Sequence, residues 1–177
     1  MTPLRGAFDG RIGEGWSGTD PNGAHVNVVL ADRGTPTAAA LLTTFTSPTP
    51  GHTPILVVVG EDKDHYEPVW PPTIMMNKAT ATEERHQTIT WGAGQLGIAQ
   101  GVLDAVAEGV IHAGADLLVF VAIYIEPLAS DETAVRKASR AATLKGIRMA
   151  RRGRDVEAVQ ALVDRRDSIT SPFYNGD

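Results

Sequence analysis

The sequence predicts an α+β fold in which one mixed β-sheet is covered by helices, a two-layer sandwich. Two observations carry that prediction. Short β-branched runs bounded by Gly, Pro or Asp are interleaved with segments whose apolar residues recur at three- and four-residue steps. The chain's 177 residues, 42% of them hydrophobic, suit a single domain over 1–177 and suffice to bury a core.

Val26 to Leu30, Ile55 to Val59, Ile74 to Met76 and Leu117 to Ile125 read as the strands of one sheet. Thr35 before Pro36 is a helix start, threonine as N-cap and proline in the first turn. Ala38 to Phe45 continues that helix until Ser47-Pro48-Thr49-Pro50-Gly51 stops it. Leu96, Ala99, Leu103, Val106 and Val110 place an amphipathic helix over Gln87 to Val110, with its apolar stripe on the sheet. A third helix begins near Ser130, whose hydroxyl can cap it while Asp131 and Glu132 suit the positive end of the helix dipole. Ala134, Ala138, Ala141 and Ala142 give it a small-residue face. Arg154 to Asp167 reads as a last helix with Val156, Val159 and Leu162 on one side, and Arg151, Arg152 and Arg154 belong to a solvated charged surface.

Composition excludes whole classes of function. Sixteen basic against 21 acidic residues leave a net charge of -5, without the electrostatic footprint of a nucleic-acid or anionic-membrane binder. The absence of cysteine rules out disulfides, thiolate metal sites and cysteine nucleophiles. Met1 to Gly10 lacks the apolar core of a targeting segment, and Leu117 to Ile125 is far short of the about 20 residues that span a bilayer, so a cytoplasmic protein is expected. Gly92, Gly94 and Gly97 match a phosphate-binding loop only loosely, and no Gly-x-Ser-x-Gly elbow is present.

Proton chemistry points to one strand. In Ala24-His25-Val26-Asn27-Val28-Val29-Leu30, alternation puts His25 and Asn27 on one face and Val26 and Val28 on the other. An imidazole titrates near neutral pH and so can hold and release a proton there. A partly buried, hydrogen-bonded histidine of purely structural role fits the same pattern. His65, His86 and His112 have no evident partners and no metal-ligand spacing, and no metal is assigned.

Several words in order resemble the formaldehyde-activating enzyme family. They are Ile12-Gly13-Glu14-Gly15, similar to its opening strand and turn, Ala24-His25-Val26-Asn27, Gly51-His52-Thr53-Pro54-Ile55-Leu56, Lys78-Ala79-Thr80, Gly92-Ala93-Gly94-Gln95, Asp104 to Ile111, and Ser171-Pro172-Phe173-Tyr174. The resemblance implies a ribosomal-protein-like fold with a left-handed βαβ crossover and a ring-shaped homopentamer with clefts between subunits. It also implies a metal-free lyase that condenses formaldehyde with tetrahydromethanopterin, or a related reduced pterin, with loss of water. Under it His25 is the proton donor, and Asn27, Leu56, Lys78, Thr80 and Gln95 contact the pterin. His52 is a turn residue that positions the strand entering at Ile55.

The departures are Asn27, where the family has an acidic residue, the composition and length of Glu61 to Pro72, and Gly94 in the Gly-Pro-Ala-Gln word. A carboxylate at position 27 would favour the charged imidazole, whereas an amide is neutral. The expectation is therefore a weakened donor. The alternative is a noncatalytic or repurposed relative that binds a pterin or an aldehyde adduct.

Overall fold

A computed structural model describes residues 8–176. The main sheet has five strands in the order β1 (Arg11–Ser17), β2 (Ala24–Asp32), β7 (Leu117–Ile125), β6 (Thr73–Asn77) and β3 (Ile55–Leu56). Only β6 and β7 run parallel, and the chain between them forms helices, so the expected mixed sheet with a βαβ unit is present. A separate ribbon pairs β4 (Val58–Gly60) with β5 (Tyr66–Pro68). The single strand expected over Ile55 to Val59 is thus two. Val57, fully buried, donates to Thr73 O and accepts from Val69 N, which pulls the chain out of the first sheet and into the ribbon.

Helices α1 (Pro36–Leu42), α2 (Glu84–Ile89), α3 (Gln95–Ala107), α4 (Glu132–Arg152) and α5 (Val156–Asp164) complete the order. Thr35 caps α1 as expected, its hydroxyl accepting from Ala38 N, and a 3-10 turn replaces the last residues of the predicted helix. The predicted Gln87–Val110 helix starts earlier and is interrupted by a π-helical segment at Thr90–Gly94 between α2 and α3. Its buried face also differs from the predicted stripe. Leu96 and Leu103 are exposed, whereas Gly97, Ile98, Gly101 and Val102 are buried. The reason is a second partner: a Cβ on Gly97 or Gly101 would lie 2.6 Å from Ser139 Cβ or Arg140 O, so the two glycines let α3 lie against α4.

Asp131 rather than Ser130 caps α4, accepting from Ala134 N, while Ser130 N donates to Asn22. Asp155 caps the last helix, which is shorter than Arg154 to Asp167; on its apolar side Val156 and Val159 are exposed and Leu162 is half-buried among the described residues. Asp104 takes a bidentate hydrogen bond from Arg140 between α3 and α4, and that guanidinium holds the carboxyl below its ordinary pKa. Its contribution to stability is present above the unfolded value, about 4, and is lost as pH falls through the lower folded value. Replacing Asp104 with Asn should therefore lower the urea midpoint at pH 7 and flatten its decline below about pH 4.

One face of the sheet is packed and the other largely open. Val26, Val28, Met75, Val119, Val121 and Ile123 face α3 and α4 and form the main core with Ile98, Val102, Val135 and Ile147. Gly13 and Gly15 let β1 lie directly on the backbone of α4, and Gly146 receives Val28 from the sheet. On the opposite face α1 covers one end, where Ala38 packs with Ile74, Leu118 and Phe120. The β1 edge is guarded by α4, since Lys145 Nζ donates to Trp16 O and Glu14 N points to Met149 Sδ. Among the described residues, no helix is long and apolar enough to cross a membrane.

Candidate functional site

The end of the open face that α1 leaves uncovered carries the polar groups. Register puts its side chains in rows across the strands. Trp16, His25 and Tyr124 form one row; Glu14, Asn27, Ala122 and Met76 form the next; Ile12, Val29, Phe120, Ile74 and Leu56 form a third. The glycine alternation of β1 explains the first strand's part, because Gly13 and Gly15 face α4 and Glu14 and Trp16 must face the other way.

His25 is held at both nitrogens. Its Nε2 lies 2.6 Å from Glu14 Oε1, and its Nδ1 lies 2.9 Å from Lys78 Nζ. A carboxylate can only accept, so Nε2 carries a proton toward Glu14. One proton then lies between Nδ1 and Nζ, because protonating both would set two cations in contact with no acceptor between them. Lys78 Nζ also donates to Asn27 Oδ1 at 2.7 Å. Burial pushes the lysine's pKa down, and the nearby charge of Glu14 offsets part of that. Trp16 packs beside the imidazole, ring centroids 6.1 Å apart, and Phe173 of the C-terminal segment meets Trp16 edge-on at 6.3 Å.

The backbone aims Lys78 at this spot. Its N–H donates to Ile123 O at 2.7 Å and so extends the β6–β7 ladder by one residue, which puts the side chain on the face opposite buried Asn77. From there it must cross β7 to reach β2. Ala122, between Met76 and Asn27 in register, is small enough to let it pass. The turn that follows is pinned from beneath: His52 bonds Asn77 O through Nδ1 and Thr80 Oγ1 through Nε2, and Asn77 Nδ2 donates to Gly51 O. His52 is a turn residue, as its motif suggested, and what it fixes is the Lys78–Thr80 segment as well as the approach to Ile55.

Of the predicted site residues, His25, Asn27 and Lys78 come together, and Thr80 follows Lys78 with its hydroxyl on His52. Leu56 lies on the same face but three strands from β2, about 14 Å at ordinary strand spacing. Gln95 opens α3, in the layer that covers the opposite face. Asn27 does not contact His25 as expected; its amide oxygen serves Lys78. The carboxylate on His25 is Glu14, which the family resemblance places in an opening strand and turn. The structure has no turn there, and β1 runs on through Ser17. The signal was available in the alternation Gly13-Glu14-Gly15-Trp16, a strand with one side bare. Tyr124 was also passed over; its hydroxyl donates to Glu126 Oε2 at 2.6 Å, and that bond, with burial, pushes the phenol's pKa up.

The remaining histidines do have partners. His86 is buried against Ile125 O at 3.0 Å, His65 contacts Asp62, and His112 contacts Asp116. The last two sit three and four residues from their carboxylates, a local pairing that the turns create. Among the described residues, no three His, Asp or Glu side chains cluster as metal ligands do.

A family model described as formaldehyde-activating enzyme matches residues 12–174, a span that takes in every residue of this site. The chain belongs to the formaldehyde-activating enzyme family. A 5,6,7,8-tetrahydromethanopterin hydro-lyase from Methanosarcina barkeri is 31% identical over 164 residues, covering 92% of this chain and 89% of that protein. A bifunctional enzyme Fae/Hps from Methanothrix thermoacetophila is 31% identical over 144 residues, 80% of this chain and 36% of that enzyme. One from Methanococcoides burtonii is 30% identical over 157 residues, 87% of this chain and 39% of the enzyme. The chain therefore spans nearly the whole of the hydro-lyase and little more than a third of each bifunctional enzyme.

Proposed function

We propose that this formaldehyde-activating enzyme family member is a hydro-lyase that condenses formaldehyde with tetrahydromethanopterin, or a related reduced pterin, to the methylene derivative with loss of water. The observation that carries the reading is the unbroken chain from Glu14 through His25 to Lys78. A ring amine adds to formaldehyde to give a hydroxymethyl amine, and the hydroxyl leaves as water only when a proton reaches it. The proton between His25 Nδ1 and Lys78 Nζ serves that step. Glu14 on Nε2 fixes the imidazole with Nδ1 turned to Lys78, and Asn27 orients the lysine. Holding both reactants on one face supplies the rest of the acceleration. The scheme needs no metal ion, and we place it in the cytoplasm.

The alternative of a noncatalytic relative rests on the amide at position 27 and on the altered Glu61 to Pro72 loop, and Glu14, bonded to His25, answers the first of these. Stopped-flow measurement of methylene-pterin formation against the spontaneous background tests the proposal. Acceleration proportional to protein supports it, and a rate equal to background at every protein concentration overturns it. A second expected outcome concerns Glu14→Gln. Loss of the carboxylate leaves Nε2 facing an amide that no longer holds the ring in one tautomer, and should reduce kcat by about tenfold or more with KM little changed. An unchanged kcat would show that Glu14 does not hold His25 for proton transfer.

Leu56 and Gln95 lie too far from His25 to share a small ligand with it in one subunit. We propose that a homo-oligomer, a pentamer by family resemblance, completes the pterin site with these residues from a second copy. Light scattering tests it; a monomer at micromolar concentration overturns it.

A further inference from the structure

The primary amine of Lys78 sits in an unusual set of partners. Asn27 Oδ1 lies at 2.7 Å and His25 Nδ1 at 2.9 Å from its nitrogen, and neither is a carboxylate. An ammonium brings three N–H donors and an amine two. Two neutral acceptors match the amine and leave its lone pair directed away from both. The nearby carboxylate of Glu14 is on the far nitrogen of the imidazole. Other titratable groups at this end of the face are Tyr124 on β7 and Glu126, which bond each other, and Asp20, whose charge also acts on Tyr124. Burial acts in the same direction, disfavouring the charged lysine.

We propose that Lys78 captures the aldehyde covalently, as an iminium on Nζ, and hands the one-carbon unit to the carrier's amine. This rests on the condensation reading above and adds an intermediate to it. The Nζ lone pair forms the N–C bond while the carbonyl π pair moves to oxygen, and the proton shed by nitrogen passes through His25 Nδ1 to that oxygen. A second proton, taken up from solution by His25, goes to the hydroxyl. The C–O bond breaks, water leaves, and the nitrogen pair closes the C=N bond as an iminium that keeps one positive charge. Attack by a carrier amine, transfer of its proton to Nζ and expulsion of Lys78 regenerate the free lysine, so no oxidant or reductant is involved. Glu14, bonded to Nε2, stabilises the imidazolium during both transfers.

The chain has four lysines, Lys63, Lys78, Lys137 and Lys145, and the other three serve as internal references. Formaldehyde with cyanoborohydride, which reduces the iminium in place, is applied briefly to the whole protein near pH 6.5, and methylation of each lysine is quantified by peptide mass spectrometry. Lys78 is expected to be labelled measurably faster than each reference, since an amine whose pKa is lowered presents more free amine at this pH. Asn27→Asp, which sets a carboxylate on Nζ, should remove that advantage. Labelling of Lys78 no faster than the references, or an advantage unchanged in Asn27→Asp, overturns the proposal. Condensation is assayed on the same preparations. Accelerated condensation without preferential labelling removes the covalent step and keeps the hydro-lyase reading; preferential labelling without condensation does the reverse.

Discussion

Replacing His25 with Ala is expected to slow condensation by about 100- to 10,000-fold, the usual worth of general acid assistance, while leaving the fold intact. Both halves follow from position. The imidazole is on the open face, its side chain 22% exposed, and contributes nothing to the core beneath β2, which Val26 and Val28 supply. What it does contribute is the link between Glu14 and Lys78. Without it the proton has no path to the leaving hydroxyl, although Asn27 and Lys78 remain to orient the reactants. Single-turnover rates with saturating pterin, beside thermal melts of both proteins, check the expectation. Full activity in the variant would remove His25 from the mechanism.

Gly13→Ala is expected to be the most damaging change to stability. A Cβ there would fall inside the contact distance of Gly146 O and crowd the Ala150 backbone. Backbone on both sides leaves no side chain to rotate away, so β1 must lift from α4. Overpacking of this kind costs about 3 kcal/mol or more, the upper end of the usual range. Gly92→Ala is the matched control, with open space at its Cβ and an ordinary backbone angle, and should be neutral or slightly stabilising. Urea midpoints of the two variants compare them directly. Equal midpoints would mean that the strand–helix contact is softer than its geometry implies.

Much of the fold was legible because its signals are local. Leu117–Ile125 is the predicted strand to the residue, and Thr35 caps its helix as its type and place require. The shared face of His25 and Asn27 came from the two-residue period alone. What escaped depends on neighbours distant in sequence. The buried side of α3 could not be read from its leucines, because glycines selected the contact with α4. Lys78 meets β2 from 51 residues away across the small side chain of Ala122, and no spacing rule announces such a crossing. Glu14 was hidden by its neighbours, since glycines that suggest a turn also allow a strand to lie flat on a helix. Ile55 to Val59 has one hydrophobic character throughout, and only Val57's hydrogen bonds divide it between two sheets.

The margins of the main sheet bear on how copies of this chain can meet. On the β1 side, Lys145 already takes the carbonyl of Trp16, and Met149 stands against the amide of Glu14. On the far side, β3 is only two residues long. Neither rim offers the row of free amides and carbonyls that would template another strand. Strand-by-strand growth from molecule to molecule is blocked at both ends. Contacts made at these rims run through side chains, whose fit is particular to one surface, and the main sheet is spared the hazard of an endless ribbon.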